Sequence, residues 1–171
     1  WRATAVFDRA ELELLISAEA IPEDRQVLNA IMFLTGVRFG EAAGLRWRDL
    51  DERSNRVANA LIKLGVRPGD RVAYVLNNCI ELVELYFGIA KTGAISAGIL
   101  PRSVAREIAY VVNDLGAKVL VVGPEAVPMI SEIQGELPSV DAIVGIGGDA
   151  FLPYESLLSD ASAAAPNVPI D

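Results

Sequence analysis

Hydrophobic and polar positions follow two different regimes along this chain, and the change comes near residue 50. Before it, apolar residues recur at helical spacing. Asp8 is placed to cap a helix over 9–18 that carries Leu12, Leu15 and Ile16 on one face. Pro22 suits the first turn of a second helix, with Glu23 and Asp24 near its positive end and Val27, Leu28, Ile31, Met32 and Leu34 as its apolar residues. That helix stops around Thr35-Gly36, and a short third one follows over 38–45. Beyond residue 50, helices alternate with strands. A helix over 51–64 is apolar at Val57, Leu61 and Leu64 and ends at Gly65. Strands are expected over 71–76, 94–100, 118–122 and 142–146, rich in apolar and β-branched residues. Helices are expected over 80–91 with Asn77 or Asn78 as cap, from Ser103 to 115, over 125–137, and weakly over 152–164. A polar tail covers 166–171.

Short strands that are apolar on both faces, separated by helices, imply a parallel sheet covered on both sides. The expected fold is therefore α/β: a partial three-layer αβα arrangement with a mainly parallel sheet of about four strands. An all-α segment of two to three helices precedes it. The domain division is 1–50, helical, and 51–171, α/β.

Composition narrows the chemistry more than the fold. The chain has 171 residues, 52% of them hydrophobic, and a mean hydropathy of +0.35, so there is ample apolar surface to bury. No apolar run reaches the roughly 18 residues of a membrane span, and no secretory leader is recognisable at the start. A first residue of Trp rather than Met points to a piece cut from something longer. Net charge is −8. Residues 1–50 hold 6 basic against 8 acidic side chains and the remainder 9 against 15, so neither half has the basic excess that phosphate neutralisation calls for. Nucleic acid is not an expected partner, nor is a membrane. Histidine is absent, which removes Ser-His-Asp catalysis, a histidine base and a histidine metal site. The one cysteine, Cys79, excludes an internal disulfide and a cysteine metal cluster, and a reducing, cytoplasmic setting is expected. Beside a helix start, Cys79 has two readings, a thiol of lowered pKa or a half-buried structural one, and the apolar helix after it favours the second. The glycine-rich stretches 145–149 and 65–70 read as turns, with Asp70 and Arg71 in local ionic or turn contacts.

One string in the first fifty residues is distinctive: Thr35-Gly36-Val37-Arg38-Phe39-Gly40-Glu41, followed by Leu45-Arg46-Trp47-Arg48-Asp49-Leu50-Asp51. It resembles the first catalytic motif of phage-integrase-type tyrosine recombinases, and the stretch from Phe7 to Leu34 ahead of it resembles the opening helices of that catalytic domain, so the resemblance covers roughly residues 1–50. The resemblance implies that Arg38 matches the arginine that clamps the scissile phosphate, a task suited to a fixed guanidinium. The family's other catalytic groups have no match here, so Arg38 is expected to be an orphan. The competing reading is a packed helical corner with Arg38 and Arg46 facing solvent.

The larger part carries a second likeness. Leu50 to Leu61, then Gly65-Val66-Arg67-Pro68-Gly69-Asp70-Arg71-Val72-Ala73, Tyr86-Phe87-Gly88-Ile89-Ala90-Lys91-Thr92-Gly93-Ala94 and Asn113-Asp114-Leu115-Gly116-Ala117-Lys118 resemble the beginning of the AMP-forming acyl-CoA synthetases. Residues 150–171 resemble the stretch leading up to that family's phosphate loop. The resemblance implies ATP-dependent activation of a carboxylic acid and transfer of the acyl group to a thiol, with ATP, Mg and CoA in the parent family. The phosphate loop and lid that this chemistry needs have no match in the chain, so no cofactor is expected to bind and no cofactor-binding or metal-ligating residue is singled out. The shared Leu50-Asp51 suggests an in-frame joining of two fragments. The resulting expectation is a chimeric, non-catalytic module derived from an acyl-CoA synthetase that self-associates through an exposed apolar sheet face. The alternative is a recombinase-derived DNA-binding fragment.

Overall fold

The computed structural model describes residues 47–168. The three helices expected before residue 46, and Arg38 with them, lie outside the described residues. Five strands build one sheet: β1 (Arg71–Val75), β2 (Ile95–Ile99), β3 (Val119–Val122), β4 (Ala142–Gly145) and β5 (Leu152–Pro153). Their order is β2-β1-β3-β4-β5 and every pairing is parallel. The helices are α1 (Trp47–Lys63), α2 (Ile80–Lys91), α3 (Ala105–Leu115), α4 (Val127–Ile133) and α5 (Tyr154–Ser159), with a 3-10 turn at Gln134–Glu136.

The strand order explains the layers. The β1-α2-β2 crossover steps to one side of β1, and β2-α3-β3 steps back across it. Right-handed crossovers running in opposite directions place their helices on opposite faces. Accordingly Val57, Leu61, Leu82, Leu85, Ile89 and Leu158 from α1, α2 and α5 pack with Val72, Tyr74, Val119 and Val121. On the other face Ile108, Val112, Ile130 and Ile133 from α3 and α4 pack with Ala73, Val75, Leu120 and Val122. Alternate residues of β1 and β3 thus enter different cores, which is why both strands are apolar throughout.

Local chemistry shifts several boundaries. Leu152 pairs with Val144 and Pro153 with Gly145, adding a fifth strand where the weak last helix was expected. Pro153 is extended at φ −66°, ψ 126°, and a proline disfavours helix at the residue before it. Only Tyr154–Ser159 is helical. The 125–137 helix is shorter too, with Pro128 in its first turn and a 3-10 continuation. Cys79, not an asparagine, occupies the N-cap of α2, in extended geometry. Val104 rather than Ser103 caps α3, and its N–H donates to Glu107 Oε2 at 3.2 Å. Gly116 ends α3 at φ +60°, as its position predicted. α1 is described from Trp47 onward, so the expected junction at residue 50 falls within a helix. No described helix is long and apolar enough to cross a membrane.

Candidate functional site

In an open parallel sheet, ligands gather at the carboxyl ends of the strands, where the strand order reverses. Here that point lies between β1 and β3. The loop after β1 presents exposed Asn77 and Asn78 and half-buried Cys79, and the loop after β3 presents exposed Glu125. The Gly123 N–H donates to Val75 O at 3.0 Å and draws the two loops together. Burial pushes the Cys79 thiol up to about 11, away from the lowered range of a reactive thiolate. The glycine-rich turn after β4 holds Gly147 and Gly148 at φ +74° and +93°. It is a turn, as expected. Asp70 closes the turn before β1, accepting the Arg67 N–H at 2.8 Å.

The strongest concentration of charge is elsewhere, on the face covered by α1, α2 and α5. Glu84 projects from the apolar α2 and is 1% exposed. Its Oε1 accepts from Arg53 Nε of α1, and its Oε2 accepts from the Tyr154 hydroxyl of α5 at 2.8 Å. Arg53 reaches on to Glu155, donating from Nη2 to Oε1 at 2.6 Å and from Nη1 to Oε2 at 3.2 Å. Bonds to Glu155 and Glu84 hold the Arg53 guanidinium protonated well beyond its ordinary range. Burial, and then the Glu84 charge, push the Tyr154 phenol well up. A carboxylate this buried, with both oxygens bonded, is closed off from solvent. This network joins three helices.

A second network surrounds Lys91 at the end of α2. Its Nζ donates to Asp51 Oδ1 at 2.7 Å, Asn55 Oδ1 at 2.7 Å, Ser54 Oγ at 2.8 Å and Asp51 O at 3.3 Å. An ammonium has three protons, so these four acceptors saturate it. A third row runs along α1. Asn55, Arg56, Asn59 and Lys63 donate to main-chain carbonyls of Leu158 in α5 and of residues 160–164 just after it.

The structure therefore gathers residues that the sequence reading did not single out, Arg53, Glu84 and Tyr154 in one network and Lys91 in another. One signal for them was present. Glu84 is an isolated charge within the apolar run Leu82-Val83-Glu84-Leu85-Tyr86, and such a residue needs a partner when its helix is buried.

Comparison with known proteins bears on the same region. The model of the AMP-binding enzyme family matches residues 17–170. The match starts inside the stretch that resembles a recombinase, and the comparisons lend the recombinase resemblance no support. A medium-chain-fatty-acid–CoA ligase of Ectopseudomonas oleovorans is 35% identical over 105 residues, covering 61% of this chain and 19% of that protein. The long-chain-fatty-acid–CoA ligase FadD13 of Mycobacterium tuberculosis is 31% identical over 125 residues, covering 72% and 24%. The anthranilate CoA ligase AuaEII, solved in complex with anthranoyl-AMP, superposes with a TM-score of 0.66 at 36% identity, over 71% of this chain and 23% of that one. The chain thus spans about a fifth to a quarter of the length of these relatives. A parallel sheet in the order β2-β1-β3-β4-β5, helices on both faces and a family match over nearly the whole sequence lead to one conclusion: the chain belongs to the AMP-binding enzyme family of acyl-CoA ligases.

Proposed function

We propose that these residues are the scaffold portion of an AMP-forming acyl-CoA ligase, which joins a carboxylic acid to CoA through an acyl-adenylate, and that they hold the chemistry in place rather than perform it. The observation that carries this reading is the family match over 17–170 on a region whose buried charged groups are spent on one another. Glu84 is taken by Arg53 and Tyr154, and Lys91 is saturated by α1. Among the described residues no group of three or more Cys, Asp and Glu side chains is placed to hold a metal ion. The relatives act on acids as different as fatty acids and, by its name, anthranilate. The substrate proposed is accordingly a carboxylic acid of unassigned chain.

Two measurements test the reading. Carboxylate-dependent ATP–pyrophosphate exchange by the 171-residue chain is expected to stay at the blank, and clear turnover would refute the scaffold role. A hybrid in which residues 50–168 replace the matching segment of the medium-chain ligase is expected to retain exchange. A folded hybrid without any would remove the ligase assignment of this segment. The recombinase likeness of 35–51 remains a proposal about origin alone. Sequencing the gene across the Leu50-Asp51 codons in an independent isolate tests it, and an uninterrupted synthetase-like sequence there would end it.

A further inference from the structure

We infer that residues 160–164 form a detachable strap, latched onto α1 through main-chain carbonyls and released without unfolding the sheet. The stretch follows α5 and has no regular structure. In a continuing helix its carbonyls would accept from N–H groups four residues on. Here they accept from one row of α1 side chains instead. Lys63 Nζ donates to Asp160 O. Arg56 Nη1 donates to Ala161 O at 2.9 Å and, at 3.4 Å, to Leu158 O. Asn59 Nδ2 lies 2.8 Å from Ser162 O and 2.9 Å from Ala164 O. Asn55 Nδ2 donates to Ala163 O at 3.0 Å.

Three features make this a latch and not ordinary core packing. Asn55, Asn59 and Lys63 are spaced four apart, so they line one edge of α1, and the strap runs antiparallel along them. The strap's own side chains are small, and those of Ser162 and Ala164 are exposed while their carbonyls are bonded. α1 therefore grips a backbone and does not select side chains. Finally, of residues 160–164 only Ala161 is buried, so little apolar surface ties the strap to the core. The bonds from Asn59 and Lys63 border solvent, while Asn55 and Arg56 bond from a more sheltered position. A segment held by polar bonds with little apolar burial opens locally at lower cost than a buried sheet. The strap sets the direction in which the chain leaves α5, and the latch decides whether that direction is held. None of this depends on the ligase reading.

Digestion with elastase, which cuts after small residues, reads strap release, with cleavage sites located by mass spectrometry. Asn59→Asp keeps the side chain's size but sets a carboxylate against two carbonyls. It is expected to raise the initial rate of cleavage within 160–165 at least tenfold, with the far-ultraviolet signal and melting midpoint of the domain retained. Arg56→Gln, which removes a different member of the row, is expected to act in the same direction. Ala164→Ser, altering only an exposed strap side chain, is expected to leave the rate within twofold of the parent. The inference is overturned if Asn59→Asp and Arg56→Gln cut no faster than the parent, or if Ala164→Ser cuts as fast as they do. It is also overturned if faster cleavage appears only in step with global melting.

Discussion

Glu84 is the residue whose environment is least forgiving. It sits in an apolar helix at 1% exposure, and its charge is tolerable only because Arg53 and Tyr154 bond both carboxylate oxygens. Removing one member of a buried pair costs more than the pair is worth, because an uncompensated charge is left behind. Arg53→Ala is expected to destabilise the domain by about 3 kcal/mol, the low end of the range because Arg53 itself is partly exposed. Tyr154→Phe strands a single carboxylate oxygen and should cost about 1–3 kcal/mol. Urea titrations of the two variants measure both losses, and an unchanged midpoint for Arg53→Ala would show that Glu84 needs no cation. Alkaline pH probes other single residues. Burial, reinforced by the 2.9 Å bond to Tyr86, pushes the Tyr74 phenol up from 10.0 to about 12. Burial pushes the Cys79 thiol from 9.0 to about 11. A group that keeps its proton longer when folded contributes stability that is intact below its unfolded pKa and lost as pH climbs to the folded one. The melting temperature is therefore expected to decline from about pH 9 toward pH 12, and less steeply in a Cys79→Ala, Tyr74→Phe double variant. A flat profile over that window would contradict the burial of both groups.

At the scale of elements, the crossing of α1 over α2 depends on a missing side chain. A Cβ on Gly88 would fall inside the Val57 side chain and 3.2 Å from Ser54 O. Backbone and β-branched side chain have little room to yield, so Gly88→Ala is expected to push the helices apart and cost about 1–3 kcal/mol. A drop in the denaturation midpoint checks this. If Val57→Ala restores the loss in the Gly88→Ala background, the clash is located as well. Most elements were legible in the sequence because periodicity reports burial. Ile80–Lys91 lies where the pattern put it, and the glycines at 93 and 116 end their helices at positive φ. The misreading of 152–164 has a long-range cause. Over 152–164 the apolar spacing is helical enough, but Leu152 is captured by β4 and the carbonyls after Ser159 by α1. Those partners lie 8 to 108 residues away along the chain, and the ones on α1 are beyond the reach of any local window.

For the whole molecule the question is what meets the far side of the sheet. β2 is an edge strand, and beside it Leu100, Val104 and Tyr110 are 75%, 59% and 70% exposed. At about 25 cal/mol per Å², covering a few hundred Å² of such surface is worth several kcal/mol. We expect the isolated chain to self-associate there, as a mass above the monomer's in light scattering at micromolar concentrations. A Leu100→Lys, Tyr110→Lys variant is expected to shift toward monomer, and a parent that stays monomeric would show that the surface needs no cover. Relatives four to five times longer than the matched stretch have further chain that could serve as that cover.

The amino-acid sequence alone determined that this is a layered α/β chain, that a histidine-free, mildly acidic polypeptide has few catalytic options, and that its larger part resembles the acyl-CoA synthetases. The first two follow from quantities written locally, side-chain type, period and glycine placement; the third is a likeness of residue strings. Only the tertiary structure decided that Glu84, Arg53 and Tyr154 form one network, that a fifth strand closes the sheet, and that α1 grips the backbone after α5. Such groupings arise when the crossovers bring α1, α2 and α5 to one face. Hydrogen bonds made across that face depend on distances in space, and spacing along the chain does not encode them.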